Sequence, residues 1–359
     1  MKAGILTWYK ALNHGAVLQA YATQMVLQEL GHECGMLDYD RKVVSQQSTM
    51  TIFKKRIRSM LPWEYDYRKK LKLFEDEKRK LFDEFIEEKL TVFGNYSNTK
   101  VDIAIIGSDM VFSLGQGYNP YMFGKGVLAD RLISYAASSG GNKVELAQRM
   151  GVEKEISDQL NSFKAIGCRD RETEKFVEAI SGRTDTKRNI DPVLLYGFKK
   201  ELISWDSHRW SNHSPYILLY SYTGNMDSKE EIREIREFAN SRHLCVVSCG
   251  YYHPWCDENI DASPQEFLEM VENSEYIITD TFHGTVFSLT ARKPFVSIIR
   301  GNGFKLKTLL CESGMGYRIA GYSNSLISVL DKKIDYNPFN SWYEQSRNES
   351  LMFLNEQLQ

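Results

Sequence analysis

The chain has 359 residues, 42% of them apolar and 26% charged, with a formal charge of -2. This composition excludes a disordered polymer, a collagen-like rod and a disulfide-stapled miniprotein, and at about 150 residues per domain the length suggests two domains. A charge so near zero gives no global positive field to mark a nucleic-acid binder.

Short apolar runs alternate with amphipathic helical patterns, which argues for βαβ units and parallel sheets. The first run covers 3–9, and a helix follows from Gly15 with Gly31 as its stop. A second strand begins at Cys34. Residues 51–90 break the rhythm: between 51 and 80 there are 11 Lys/Arg against 5 Asp/Glu, interleaved with aromatics. Two readings stand, a solvated helical insertion or a docking surface for an anionic or membrane-anchored acceptor through 51–67. Apolar runs then resume at 101–106, 132–137 and 163–168, with a helix through Ile180. The Asn189–Asp191–Pro192 turn reads as the crossing between domains. A second set of strands is expected at 216–222, 244–248, 276–279 and 294–299. Helices are expected at 227–241, 263–273 (Ser263 as N-cap, Pro264 at its first position), 284–291, 305–313 and 342–358.

The pattern predicts an α/β protein with two Rossmann-like domains facing each other across a cleft. The first spans 1–190, with the helical insertion at 51–90. The second spans 191–335, and a terminal helix over 336–359 packs back on the first. No apolar stretch reaches the ~18 residues of a membrane span. The N-terminal apolar run is too short for a signal peptide. The six cysteines are scattered rather than set in a disulfide framework. A cytoplasmic protein is expected, peripheral to a membrane only if 51–67 docks there.

In open parallel sheets, ligands bind beyond the carboxyl ends of the strands. The small and polar residues fall there: Asn13–His14–Gly15, Gly107–Ser108–Asp109, Ser138–Ser139–Gly140, Thr223–Gly224–Asn225 and Thr281–Phe282–His283–Gly284. An anionic small substrate suits such a cleft. Neither a dinucleotide fingerprint nor a P-loop is present. His283, just before a helix, can donate to an anion or act as a general acid, or can simply cap the helix. Arg169 and Arg171 flank Asp170, as phosphate or carboxylate ligands or as a surface ion-pair network. Arg300, Lys305 and Lys307 surround a glycine-containing loop, as a cationic lid or a solvated helix start. Cys249, His253 and Cys256 give three zinc ligands, not four, and Cys245 on the same strand is about 13 Å from Cys249. Ser138 and Ser139 lack a nucleophile-elbow context.

The segments NHGAVLQAYA, IIGSDMVF, SYAASSG, CRDRET, DPVLLY and YIITDTFHGTVFSLTARKPFVSI together resemble the polysaccharide pyruvyl transferase family. The resemblance runs from residue 4 to about 316 and leaves out the charged insertion. It implies a GT-B-like fold and transfer of a pyruvyl group from phosphoenolpyruvate (PEP) to a saccharide, forming a ketal and releasing phosphate. Carried over by position, it implies catalytic roles for His283, Arg169 and Lys305. His283 would be the general acid that protonates the PEP methylene, and the two cations would hold phosphate and carboxylate. Asn13, Gly15, Ser108, Asp109, Ser138, Thr281 and Gly284 are expected to line the substrate cleft. This chemistry requires neither a metal nor a redox cofactor, and PEP is the donor substrate. The acceptor is expected to be a saccharide, a polyprenyl-linked repeat unit if the 51–67 stretch docks at a membrane. The alternatives are a glycosyltransferase with a nucleotide-sugar donor, its ribose read by Glu266, Glu269 or Asp280, and a non-catalytic sugar-binding module.

Overall fold

The computed structural model describes residues 1–39, 62–115, 117–205, 209–300, 303–321 and 325–359. Among these, seven strands form one sheet: β1 (Lys2–Leu6), β2 (Glu33–Asp38), β3 (Val92–Asn95), β4 (Val101–Ile106), β5 (Ala129–Ala137), β6 (Ala165–Cys168) and β7 (Lys187–Arg188). Their spatial order is β3-β2-β1-β4-β5-β6-β7. Six more form a second sheet: β8 (Tyr216–Tyr220), β9 (Cys245–Cys249), β10 (Glu258–Ile260), β11 (Tyr276–Thr279), β12 (Phe295–Ile298) and β13 (Ile319–Ala320). They are ordered β10-β9-β8-β11-β12-β13. Every strand pairing is parallel. The central strands are buried on both faces, as β8 and nearly all of β4 show, which explains their unbroken apolar runs.

Each sheet reverses its winding direction once, between β1 and β4 in the first and between β8 and β11 in the second. Loops leaving such neighbouring strands diverge and open a crevice. Asn13 and Asp109 follow one pair, and Tyr222 and His283 follow the other.

Three elements join the sheets. The 189–195 crossing folds as a short helix, Pro192–Tyr196, with Asp191 as N-cap; Val193, Leu194 and Leu195 are buried. The terminal helix Asn337–Gln357 fixes this crossing: the Ser350 hydroxyl accepts from the Ile190 amide at 3.0 Å, and the Tyr343 hydroxyl donates to the Leu194 carbonyl at 2.9 Å. The charged stretch contains the helix Pro62–Lys89; residues 51–61 of the proposed docking surface lie outside the described residues. This helix is not solvated all round. Lys78, Phe82 and Phe85 form a buried stripe, and Tyr67 packs on Tyr252 of the second sheet's side with ring centroids 5.8 Å apart. The Lys78 ammonium donates to the Leu12 carbonyl at 3.1 Å and the Gly250 carbonyl at 2.8 Å, joining the two halves. Burial pulls its pKa down to about 8. No helix among the described residues is long and apolar enough to cross a membrane.

Candidate active site

The helix Phe282–Thr290 starts two residues earlier than its apolar pattern suggests, because Thr281 caps it: the Thr281 Oγ1 accepts from the Gly284 amide at 2.9 Å. His283 therefore lies inside the first turn. Its side chain is 9% exposed, and its Nε2 is 3.5 Å from Asp191 Oδ2 with no hydrogen bond. Gly15, from the start of helix His14–Glu29 on the other sheet, packs directly against the imidazole. A Cβ there would fall 2.2 Å from Cγ and 2.4 Å from Nδ1 of His283.

Asp191 is the hub. Its Oδ1 accepts from the Val193 amide at 3.1 Å, and its Oδ2 accepts from Arg169 Nη1 at 2.8 Å. Burial raises its pKa, but the adjoining His283 and Arg169 charges outweigh that and hold it at about 2. Arg169 Nη2 lies 3.4 Å from Asp109 Oδ1, and the guanidinium stacks on Phe282 with 4.1 Å between its centre and the ring centroid. Asp109 responds in the same way: burial pushes its pKa up, while His283, Arg169 and Lys305 pull it below the usual carboxylate range. The Lys305 ammonium is 5.7 Å from the centroid of the same phenyl ring. It has no ion pair or hydrogen bond among the described residues, and burial together with the Arg169 charge lowers its pKa to about 8. Arg169, Asp191, Phe282 and Lys305 floor a cleft of about 420 Å³.

The expected site residues thus separate by role. His283, Arg169, Lys305 and Asp109 converge. Arg169, expected as a direct phosphate ligand, lines the cleft with its side chain 3% exposed and both terminal nitrogens facing the carboxylates of Asp191 and Asp109. Several expected substrate contacts are committed to the fold instead. The Ser108 hydroxyl donates to the Ala136 carbonyl at 2.9 Å, and the Ser138 hydroxyl to Asp170 at 2.7 Å. Thr281 is occupied in capping, and a Cβ on Gly284 would strike Thr279 Oγ1 at 2.1 Å. Asn13 caps its helix by accepting from the Ala16 amide at 3.1 Å and reaches across to the Tyr251 hydroxyl at 3.0 Å. Gly15 makes room for His283. His14 is fully buried with Nε2 2.8 Å from the Ala262 carbonyl, and burial holds its pKa well below the usual histidine range.

Other candidates lie elsewhere. Arg300 pairs with Glu231 and Asp280, and Arg171 and Lys307 are exposed; residues 301–302 of the loop expected as a cationic lid lie outside the described residues. Glu266 accepts from Arg209 and the Trp210 indole, and Glu269 from the Trp210 amide. His253 is fully buried and bonds the Ser221 carbonyl at 3.0 Å. Asp191 and Lys78 were not anticipated as functional groups. The Asp–Pro pair at a helix start was the available signal for the first, and the 78-82-85 spacing for the second.

Two parallel Rossmann-like sheets with facing switch points define the GT-B fold class. Solved structures agree. UDP-GlcNAc 2-epimerase from Methanocaldococcus jannaschii superposes with TM-score 0.52 at 13% identity, over 99% of this chain and 100% of that one. The epimerase from Rickettsia bellii gives TM-score 0.53 at 10% identity, over 100% and 96%. The epimerase from Neisseria meningitidis, bound to UDP-GlcNAc, gives 0.51 at 10%, over 100% of both. At such identities the likeness concerns the fold alone. A search of curated proteins finds no sequence match. Residues 13–302 match the polysaccharide pyruvyl transferase family, and the chain belongs to that family.

Proposed function

We propose that the protein transfers a pyruvyl group from PEP to a saccharide, closing a cyclic ketal on two hydroxyls and releasing phosphate. The observation that carries this reading is Lys305, an ammonium with no ion pair or hydrogen bond among the described residues, on the floor of a cleft that Asp191 also lines, with His283 3.5 Å from Asp191. An anionic donor supplies the partner that ammonium lacks.

In this reading Lys305 binds the phosphate or carboxylate of PEP directly. Arg169, on the same floor, pairs with Asp109 and Asp191 and holds them in place. His283, with Asp191 balancing charge at Nε2, gives its proton to the methylene carbon, which becomes the methyl group. The first sugar hydroxyl adds to C2 and its proton returns to the imidazole. The C2–O bond to phosphate then breaks, and phosphate leaves with the electron pair. The second hydroxyl adds to C2, and its proton goes to the departing phosphate. The ammonium offsets charge that grows on phosphate in the transition state.

A nucleotide-sugar glycosyltransferase would need a carboxylate free to read ribose, and Glu266, Glu269 and Asp280 are each engaged with protein groups. The decisive experiment is phosphate release from PEP with a panel of sugar acceptors, followed by mass analysis for the added pyruvyl group. Release without a pyruvylated product, or turnover of nucleotide sugars instead, refutes the reading.

A further inference from the structure

The cleft has a second wall that the proposed chemistry does not use. Trp342, Gln345, Ser346 and Glu349 of the terminal helix line it. Their spacing of i, i+3, i+4 and i+7 puts them on one helical stripe. The packed face carries Phe339, Ser350, Phe353 and Leu354, all buried. The cleft stripe borders that face: Trp342 and Ser346 are half-buried, Trp342 lying against Phe339 with ring centroids 5.9 Å apart, while Gln345 and Glu349 are exposed. It is chemically unlike the floor: an aromatic ring, an amide, a hydroxyl and a carboxylate, with no cation. Gln345 donates to Glu349 at 2.9 Å, so the polar groups are pre-ordered. Arg188, the remaining cation in the cleft, is tied to Glu312 at 2.8 Å. Such a wall disfavours a second anion and suits a neutral polyol, which offers an apolar ring face and hydroxyls that both donate and accept. A cleft of about 420 Å³ falls in the ordinary range for small ligands and exceeds what a three-carbon donor fills. The whole stripe also lies beyond residues 13–302, the part of the chain shared with the family.

Resting on the pyruvyl-transfer reading, we propose that this stripe is the acceptor subsite: the saccharide stacks on Trp342 and is bonded through its hydroxyls by Gln345, Ser346 and Glu349. The terminal helix then sets which sugar is pyruvylated, while His283 and Arg169 of the shared segment, with Lys305 just beyond it, supply the donor chemistry.

The test uses the full chain with Trp342→Ala, Gln345→Ala and, as a packing control, Trp342→Phe. Phosphate release from PEP is followed with methyl glycosides of glucose, galactose and mannose. Saturation-transfer NMR with the same glycosides, without PEP, reads contact directly. Each alanine variant is expected to raise the acceptor KM about 10-fold, the scale of one lost polar or stacking contact, with the PEP KM unchanged. Saturation transfer should vanish in Trp342→Ala and persist in Trp342→Phe. An unchanged acceptor KM, a rise in the PEP KM instead, or no glycoside contact with the native protein overturns the proposal. Glycoside contact through Trp342 without phosphate release from PEP leaves the saccharide subsite standing and refutes pyruvyl transfer.

Discussion

The packing of Gly15 on His283 supports a prediction that needs no substrate. A methyl group at position 15 would sit 2.2 Å from Cγ, 2.3 Å from Cβ and 2.4 Å from Nδ1 of His283. Carbon–carbon contacts settle at about 3.5–4.0 Å, so the imidazole must retreat by more than about 1 Å. Overpacking of this kind costs about 1–3 kcal/mol. Against it, replacing Gly by Ala inside a helix is worth up to about 1 kcal/mol in favour of folding. Gly15→Ala should therefore destabilise the native chain but stabilise a His283→Gly chain, where the Cβ 2.3 Å away is gone as well as the ring. Urea denaturation of the four proteins in the cycle measures the coupling, expected at about 1–3 kcal/mol. In the single variant the displaced imidazole should also lower phosphate release by about 100-fold, as a 1 Å misplacement of a catalytic group does. Equal stabilisation by Gly15→Ala in both backgrounds would show that the two residues do not touch, and the convergence of the two halves at His283 would fail with it.

Four further outcomes are expected. His283→Ala should lower turnover by about 10²–10⁴-fold while the melting temperature stays close to native, and near-normal turnover removes the general-acid role. Lys305 is charged below its pKa of about 8 and neutral above it, so the PEP KM should climb between about pH 7 and about pH 9. Lys305→Arg keeps its charge and should flatten that climb; a climb of equal size in the variant assigns the titration elsewhere. Asp191→Asn removes the negative charge 2.8 Å from the buried Arg169 guanidinium and leaves Asp109 at 3.4 Å as its carboxylate partner, so it should cost about 3 kcal/mol, the lower end for a broken buried pair, read as a shift in the urea midpoint. Lys78→Met strips the donor from the Leu12 and Gly250 carbonyls and should cost about 1–3 kcal/mol, and an unshifted midpoint would mean water replaces the ammonium there.

Strand positions were largely legible because parallel strands buried on both faces read as continuous apolar runs; β4 and β11 fall where those runs do. The Ser263–Pro264 helix start was equally clear, since a side-chain cap followed by proline is a local device. Short edge strands such as β7 and β13 carry two residues each and leave no periodic trace. At the site, position after a strand drew out His283 and Arg169, but not what their side chains face. Arg169 looked like an anion ligand because the sequence does not reveal that Asp191, 22 residues later, neutralises it. Lys78 was hidden among many lysines, because local charge counts cannot tell a solvated ammonium from one aimed at two carbonyls. Ser108, Ser138 and Thr281 sit where ligands bind in this fold, yet the tight turns there consume their hydroxyls.

His283 and the glycine that faces it are carried on different sheets. Any swing that parted the two sheets would lift the imidazole off its glycine seat and open that side of the ring to water. On the pyruvyl-transfer reading, such a parting would separate the acid from the wall that shields it, so the closed arrangement is the one in which the imidazole is ready to act.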